Sequence, residues 1–398
     1  MNSIFRLNHR LREYLNFDSL RRYLRSSPLN SSGTKPELIQ RIEEGISSGE
    51  LDKNDFESFL ANEIRYGHNR TLYCTRINPA SLFKVKNSKL IKQAMMTAGL
   101  SECQIINNIH FTPDSDEPVL VHFEKSEIEN GVQRVIMCFA SMVMISKITD
   151  ENESIQVEDT DYVWITIDVP QGQLTISVRP RSNTNETSTR SYQVFEIYTS
   201  YLTEVFSLRY LSNDEMKNTL YNIFRELTTK AEKPYVEKVE PLLSEISDLS
   251  DRYATFLGLP SSNNPVNLPF RIRRLLERAL IQNDFFNFKG YSEGKIGTVE
   301  KFFYSDDTGA RVNASANDGE GIEVCDIYFD TRETIDDQKT FNKLWINWFI
   351  PGASVGKKTY TKLEATTKYF VIHFYSYHSE VEQEYVFSSI ETFRAVPN

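Results

Sequence analysis

Residues 162–179 read YVWITIDVPQGQLTISVR. Two runs of alternating β-branched, aromatic and polar residues, 162–169 and 174–179, flank Pro170-Gln171-Gly172-Gln173. The stretch therefore predicts a β-hairpin closed by a Gly-containing turn. Upstream, 72–77, 119–123 and 133–145 have the same strand-like composition, with helical spacing over 88–98 between the first two. Downstream, 181–190 is polar and predicts an exposed loop. Helical spacing returns over 191–208, where Val194, Ile197, Tyr201, Leu202 and Val205 share a side. It continues over 213–229, 236–257 and 269–281, with a break at Pro260–Pro265. Residues 285–398 alternate Tyr, Phe, Trp and Val with Gly at the turns, and 368–377 and 385–390 read as the last two strands. Residues 1–65 read as helical. The expected fold class is α+β and multi-domain rather than doubly wound. Its parts are a helical domain at 1–65, a mixed α/β domain at 66–190, a helical connector at 191–283 and an antiparallel β-rich domain at 284–398.

The 398 residues are 40% hydrophobic and 12% aromatic, which excludes wholesale disorder. The formal net charge is −10, so the surface as a whole is not built for nucleic acid and any such contact must be local. Cys74, Cys103, Cys138 and Cys325 form no C-x-x-C pair and read as reduced, mostly buried thiols of an intracellular protein. The longest apolar run, 135–145, is eleven residues even allowing Ser141. A membrane-spanning helix needs about 20. Residues 1–12 lack an apolar signal core. The expectation is a protein without membrane association, cytoplasmic and nucleoid-associated, or nuclear in a eukaryote.

One segment carries specificity: 18–46, DSLRRYLRSSPLNSSGTKPELIQRIEEGI. Asp18 or Ser19 is placed to cap a short helix with Leu20 and Leu24 at i, i+4. After a Ser/Pro/Asn/Gly loop, Thr34 and Glu37 fit the N-cap and N3 positions of a capping box, and Pro36 falls in the first turn, where its missing N–H costs nothing. Leu38 and Ile42 then form a second apolar pair. This pattern resembles the SAP motif, the helix–loop–helix element named after scaffold attachment factors, Acinus and PIAS proteins. The matching residues are Leu20, Leu24, Leu29, Gly33, Lys35, Leu38, Arg41 and Ile42. Pro28 stands where the family often has Gly.

The resemblance implies binding of double-stranded DNA with little sequence preference. The residues supply a physical reason. The second helix begins with amides of Gly33, Thr34 and Lys35 aimed at a potential phosphate. Arg21, Arg22 and Arg25 lie on the outer side of the first helix, and Arg41 on the second. Residues 1–42 hold Arg6, Arg10, Arg12, Arg21, Arg22, Arg25, Lys35 and Arg41 against Glu13, Asp18 and Glu37, a net +5 that leaves −15 on the remainder. A basic head on an acidic body suits a local backbone-binding module with protein partners on the body.

Other signals point to structure. Gly352–Thr359 misses the P-loop spacing and reads as a turn with solvated lysines. His9, His68, His110, His122, His373 and His378 are scattered, and the last two would fall on opposite strand faces. Glu323, Asp326 and Asp330 read as a strand in which Asp326 and Asp330 share a face, the best candidates for a magnesium-dependent nuclease. The helix 270–280, with Arg271, Arg273, Arg274 and Arg278, is either a second basic surface or paired to acids. The aromatic C-terminal strands, with Lys357, Lys358, Lys362 and Lys368 nearby, read as core rather than a base-stacking platform. No catalytic residue, metal or cofactor is nominated. The leading expectation is a non-enzymatic DNA-associated protein, ahead of a tethered nuclease and a protein-interaction scaffold.

Overall fold

A computed structural model describes residues 5–100, 109–129, 131–148, 153–181, 191–259, 267–291, 293–305, 309, 311–317, 319–352 and 357–394. The polar stretch 182–190, the break at 260–265, Cys103 and positions 353–356 lie outside the described residues. The fold is α+β. It forms two compact units: 1–214 with 360–388, and 215–359 with 389–398. The four segments expected from sequence are distributed over these two.

The first unit opens with four helices: α1 (His9–Arg12), α2 (Phe17–Arg25), α3 (Lys35–Ser48) and α4 (Lys53–Arg65). Strand β1 (Arg70–Arg76) follows, then α5 (Ser88–Thr97), β2 (Val119–Ile128), β3 (Gly131–Ile148), β4 (Ser154–Asp168), β5 (Gln173–Val178) and α6 (Ser191–Phe206). The chain later returns with β9 (Lys358–Ala365), β10 (Phe370–Phe374) and α13 (Glu380–Thr392), whose last residues count with the second unit. The sheet is antiparallel, in the order β2-β3-β4-β5-β1-β10-β9. The hairpin read from 162–179 is its β4–β5 pair, with Trp164 opposite Ser177. Asp168 Oδ1 accepts the Gln171 amide at 3.0 Å in the turn, and Gly172 takes a φ of 61°, the conformation for which glycine has no steric penalty.

Period-two alternation explains the layering. Ile136, Cys138, Ala140, Tyr162 and Trp164 face Leu20, Leu24, Leu38, Ile42, Phe56 and Leu60 of the N-terminal helices. Val135, Met137, Phe139, Val163, Ile165 and Ile167 face the opposite way, toward Ile91 and Met95 of α5 and Tyr198, Leu202 and Val205 of α6. Strand β3 is thus covered on both faces, so its sequence is a nearly unbroken apolar run. Ile197, expected on the inner side of α6, is exposed. Cys74 and Cys138 are buried and Cys325 is half-buried. Among the described residues no helix is long and apolar enough to cross a membrane.

His378 follows β10 and is fully buried, stacked on the Phe374 ring at 3.9 Å between centroids. Its Nε2 lies 3.3 Å from Gln383 Oε1. Burial pushes its pKa down to about 4. The unfolded chain binds a proton below about pH 6.5 that the folded chain refuses until about pH 4. Stability therefore falls as pH drops through that window, by about 3 kcal/mol from this group. Thermal melts across the window should show a shallower acid slope for His378→Phe than for wild type.

The second unit contains α7 (Glu215–Thr229), α8 (Lys233–Val239), α9 (Leu243–Leu257), α10 (Leu268–Asn283), α11 (Phe285–Gly290), β6 (Gly297–Ser305), β7 (Arg311–Ser315), α12 (Asp326–Gln338) and β8 (Lys343–Phe349). Its strands lie in the order β8-β6-β7, all antiparallel. Three expectations are corrected. The helix expected at 236–257 is divided into α8 and α9 by a 3-10 turn, Glu240–Leu242, because Pro241 has no N–H to continue the ladder. The strand expected around 323–330 is a 3-10 turn leading into α12, which buries Tyr328, Arg332 and Ile335 at helical spacing. The strand expected at 385–390 lies in α13, where Val386 and Ile390 are buried one turn apart.

Candidate nucleic-acid interface

The hairpin assembles from local signals. Asn16, rather than Asp18 or Ser19, caps α2: its side chain accepts the amides of Asp18 and Ser19 at 2.9 and 3.2 Å. Leu20, Leu24, Leu38 and Ile42 are buried within 1% exposure. They pack against one another and the sheet, which leaves the other sides of α2 and α3 polar. At the start of α3 the capping box is closed in both directions, with the Thr34 amide donating to Glu37 Oε2 at 2.7 Å. The backbone and hydroxyl bonds from Thr34 hold the Glu37 carboxyl below its ordinary pKa.

This cap alters the expected phosphate cradle. The Thr34 amide is taken by the chain's own carboxylate, leaving Gly33 and Lys35 to offer amides at this terminus. Gly33 has a φ of 118°, and a Cβ there would meet Glu37 Oε2 at 2.5 Å. Gly33 is thus required by the cap as well as by the turn. Gly33→Ala should open the capping box and cost about 1–2 kcal/mol. Faster hydrogen exchange at the Leu38 amide, with the sheet amides of β3 unchanged, is the measurement that checks it.

The seven candidate residues do not play one role. Arg22 and Arg25 are exposed, and Arg21 is half-buried with its guanidinium 5.5 Å from the Phe17 ring centroid. Arg22 donates to Ser19 Oγ at 3.1 Å. Ser19 Oγ in turn donates to the Tyr377 hydroxyl, and Tyr377 donates to Glu63 Oε1 at 2.6 Å. Arg41 braces the loop between the helices, donating to the carbonyls of Asn30 and Ser32 at 2.5 and 2.9 Å. Lys35 is half-buried. Burial lowers its pKa first, and Arg179 lowers it further, while Glu13 and Glu63 act the other way.

Arg179, just past β5, is the cation that the sequence pattern did not expose. It lies 5.0 Å over the Tyr14 ring, and its charge also depresses His68. Nothing local in LTISVR distinguishes it from an ordinary strand-end arginine.

Charge pairing separates the basic residues into two groups. Arg6 and Arg12 bond to the buried Glu43 at 2.8 and 3.0 Å, and Arg10 pairs with Glu158 and Asp114. Arg21, Arg22, Arg25, Lys35 and Arg41 make no ion pair among the described residues. On α10 the pattern is reversed. Arg271 pairs with Glu333, Arg273 and Arg274 with Glu277, and Arg278 with Asp326 and Asp330 at 2.9 and 2.6 Å. The same contacts bear on the carboxylate trio. Asp326 and Asp330 are bound to one arginine, and Glu323 is buried against Lys295 Nζ at 2.5 Å. Among the described residues no cluster of His, Cys, Asp and Glu is arranged to hold a metal. Lys362 and Lys368, expected near the C-terminal aromatics, pair with Glu364 and Glu196.

No protein-family model matches the chain, and no curated protein is similar to it.

Proposed function

We propose that this is a DNA-associated, non-enzymatic protein whose N-terminal hairpin holds duplex DNA by its phosphate backbone. Its acidic remainder engages protein partners. The observation that carries the reading is the contrast in charge pairing between the hairpin and the equally basic α10. Arg6, Arg10 and Arg12 and the four arginines of α10 are paired to carboxylates, whereas Arg21, Arg22, Arg25, Lys35 and Arg41 of the hairpin have no such partner among the described residues. Cations left unpaired in an acidic chain create a local positive field, which attracts a polyanion and is screened by salt. Phosphate contacts fix position without reading bases, so little sequence preference follows. Such a protein belongs with the nucleoid, or in the nucleus of a eukaryote.

The test is fluorescence anisotropy of a labelled duplex of ~25 bp, long enough for a module making a few phosphate contacts. Arg21→Ala/Arg22→Ala/Arg25→Ala should weaken binding. Arg271→Ala/Arg273→Ala, which removes arginines already paired to carboxylates, should leave it unchanged. The opposite ranking would transfer the site to α10.

A further inference from the structure

We infer that the exposed stripe of α9 is the contact through which two copies of this chain pair, antiparallel. Helix α9 carries a wider apolar face than its neighbour covers. Ile246, Ser250 and Ala254 succeed one another at one-turn spacing and are buried, and α9 packs against α10. At 3.6 residues per turn, Leu249, Tyr253 and Phe256 form a second stripe about 60° wide beside the first. Tyr253 is 51% and Phe256 87% exposed, and Leu242, at the N-terminal end of the same stripe, is 41% exposed. Large apolar side chains aligned on one solvent-facing stripe mark an interaction surface, where isolated ones would not.

The flanking charges select the occupant. Glu245 and Arg252 lie on the same margin of the stripe, seven residues and so ~10 Å apart along the axis, too far to pair with each other. Neither has an ion pair or a side-chain hydrogen bond among the described residues. Two copies of α9 laid antiparallel about a two-fold axis beside Leu249 bring Glu245 of each within one residue, ~1.5 Å along the axis, of the level of Arg252 of the other. The same operation sets Leu242 level with Phe256 and Leu249 against its own copy. A parallel two-fold pair would instead place this margin on opposite sides of the seam in the two copies, so neither Glu245 nor Arg252 would meet its opposite charge. The stripe is therefore self-complementary in one orientation, as a two-fold interface requires. Asp248 and Asp251 on the outer side of the helix disfavour a phosphate backbone as the occupant.

Sedimentation equilibrium of the full chain, over a roughly hundredfold range of concentration, tests this. Wild type should form a species of twice 46.2 kDa, and Phe256→Asp should be monomeric. Glu245→Arg alone or Arg252→Glu alone should weaken the dimer at least about tenfold, because each creates two like-charge contacts per dimer. Glu245→Arg/Arg252→Glu should restore it. All of these side chains are exposed, so circular dichroism should show the fold retained. A monomer throughout, or a dimer indifferent to the charge exchange, overturns the proposal. The result is independent of DNA binding by the hairpin.

Discussion

Arg332→Met is expected to destabilise the second unit by about 3–5 kcal/mol, the cost of leaving a buried carboxylate without its main counter-charge. Glu232 is 2% and Arg332 6% exposed, and the two are in direct contact. The same Glu232 oxygen accepts the Tyr328 hydroxyl at 2.7 Å. Arg274, the next cation, is 3.8 Å from the other oxygen and is already bonded to Glu277. Methionine preserves much of the volume but no charge, so Glu232 would have to take up a proton or draw in water. Urea unfolding followed by tryptophan fluorescence should show the loss. Glu232→Gln/Arg332→Met should recover a large part of it, since no buried charge is then left alone. A single variant as stable as wild type would mean that Arg274 replaces Arg332, and that the network is redundant.

What was legible in the sequence was local. The β4–β5 hairpin follows from alternation on both sides of a Gly-containing turn, and the cap of α3 from Thr34 and Glu37 at the correct spacing. Both signals lie within a few residues, where chain geometry alone determines the outcome. Short windows misled elsewhere. IYF in 327–329 and YVF in 385–387 look like strand, yet Tyr328 with Arg332 and Ile335, and Val386 with Ile390, show that the buried period is one helical turn. Pro241 is itself a local signal, since a residue without an N–H interrupts the helix between α8 and α9.

The candidate interface was readable in composition but not in pairing. LRRYLR of α2 and FRIRRLLER of α10 are similar basic helices. Their difference lies in what the fold brings opposite them: Glu333, Asp326 and Asp330 of α12 for α10, and no acid for Arg21, Arg22 or Arg25 among the described residues. Arg10 with Glu158 and Arg179 with Tyr14 are likewise products of tertiary structure. No motif of either partner anticipates them.

The most direct measurement of the central claim is the salt dependence of duplex binding by wild type and by Arg21→Ala/Arg22→Ala/Arg25→Ala. Each phosphate neutralised releases counterions, so log K should fall linearly with log salt at about −0.9 per contact. The three arginines are on one helix, none is held by a carboxylate, and Arg22 and Arg25 are exposed. Their removal should flatten the slope by up to about three units while the fold, whose buried residues are untouched, keeps its stability. A linear decline that the variant flattens is the predicted result. An unchanged slope in the variant, or no salt-dependent binding by wild type at low salt, would contradict it.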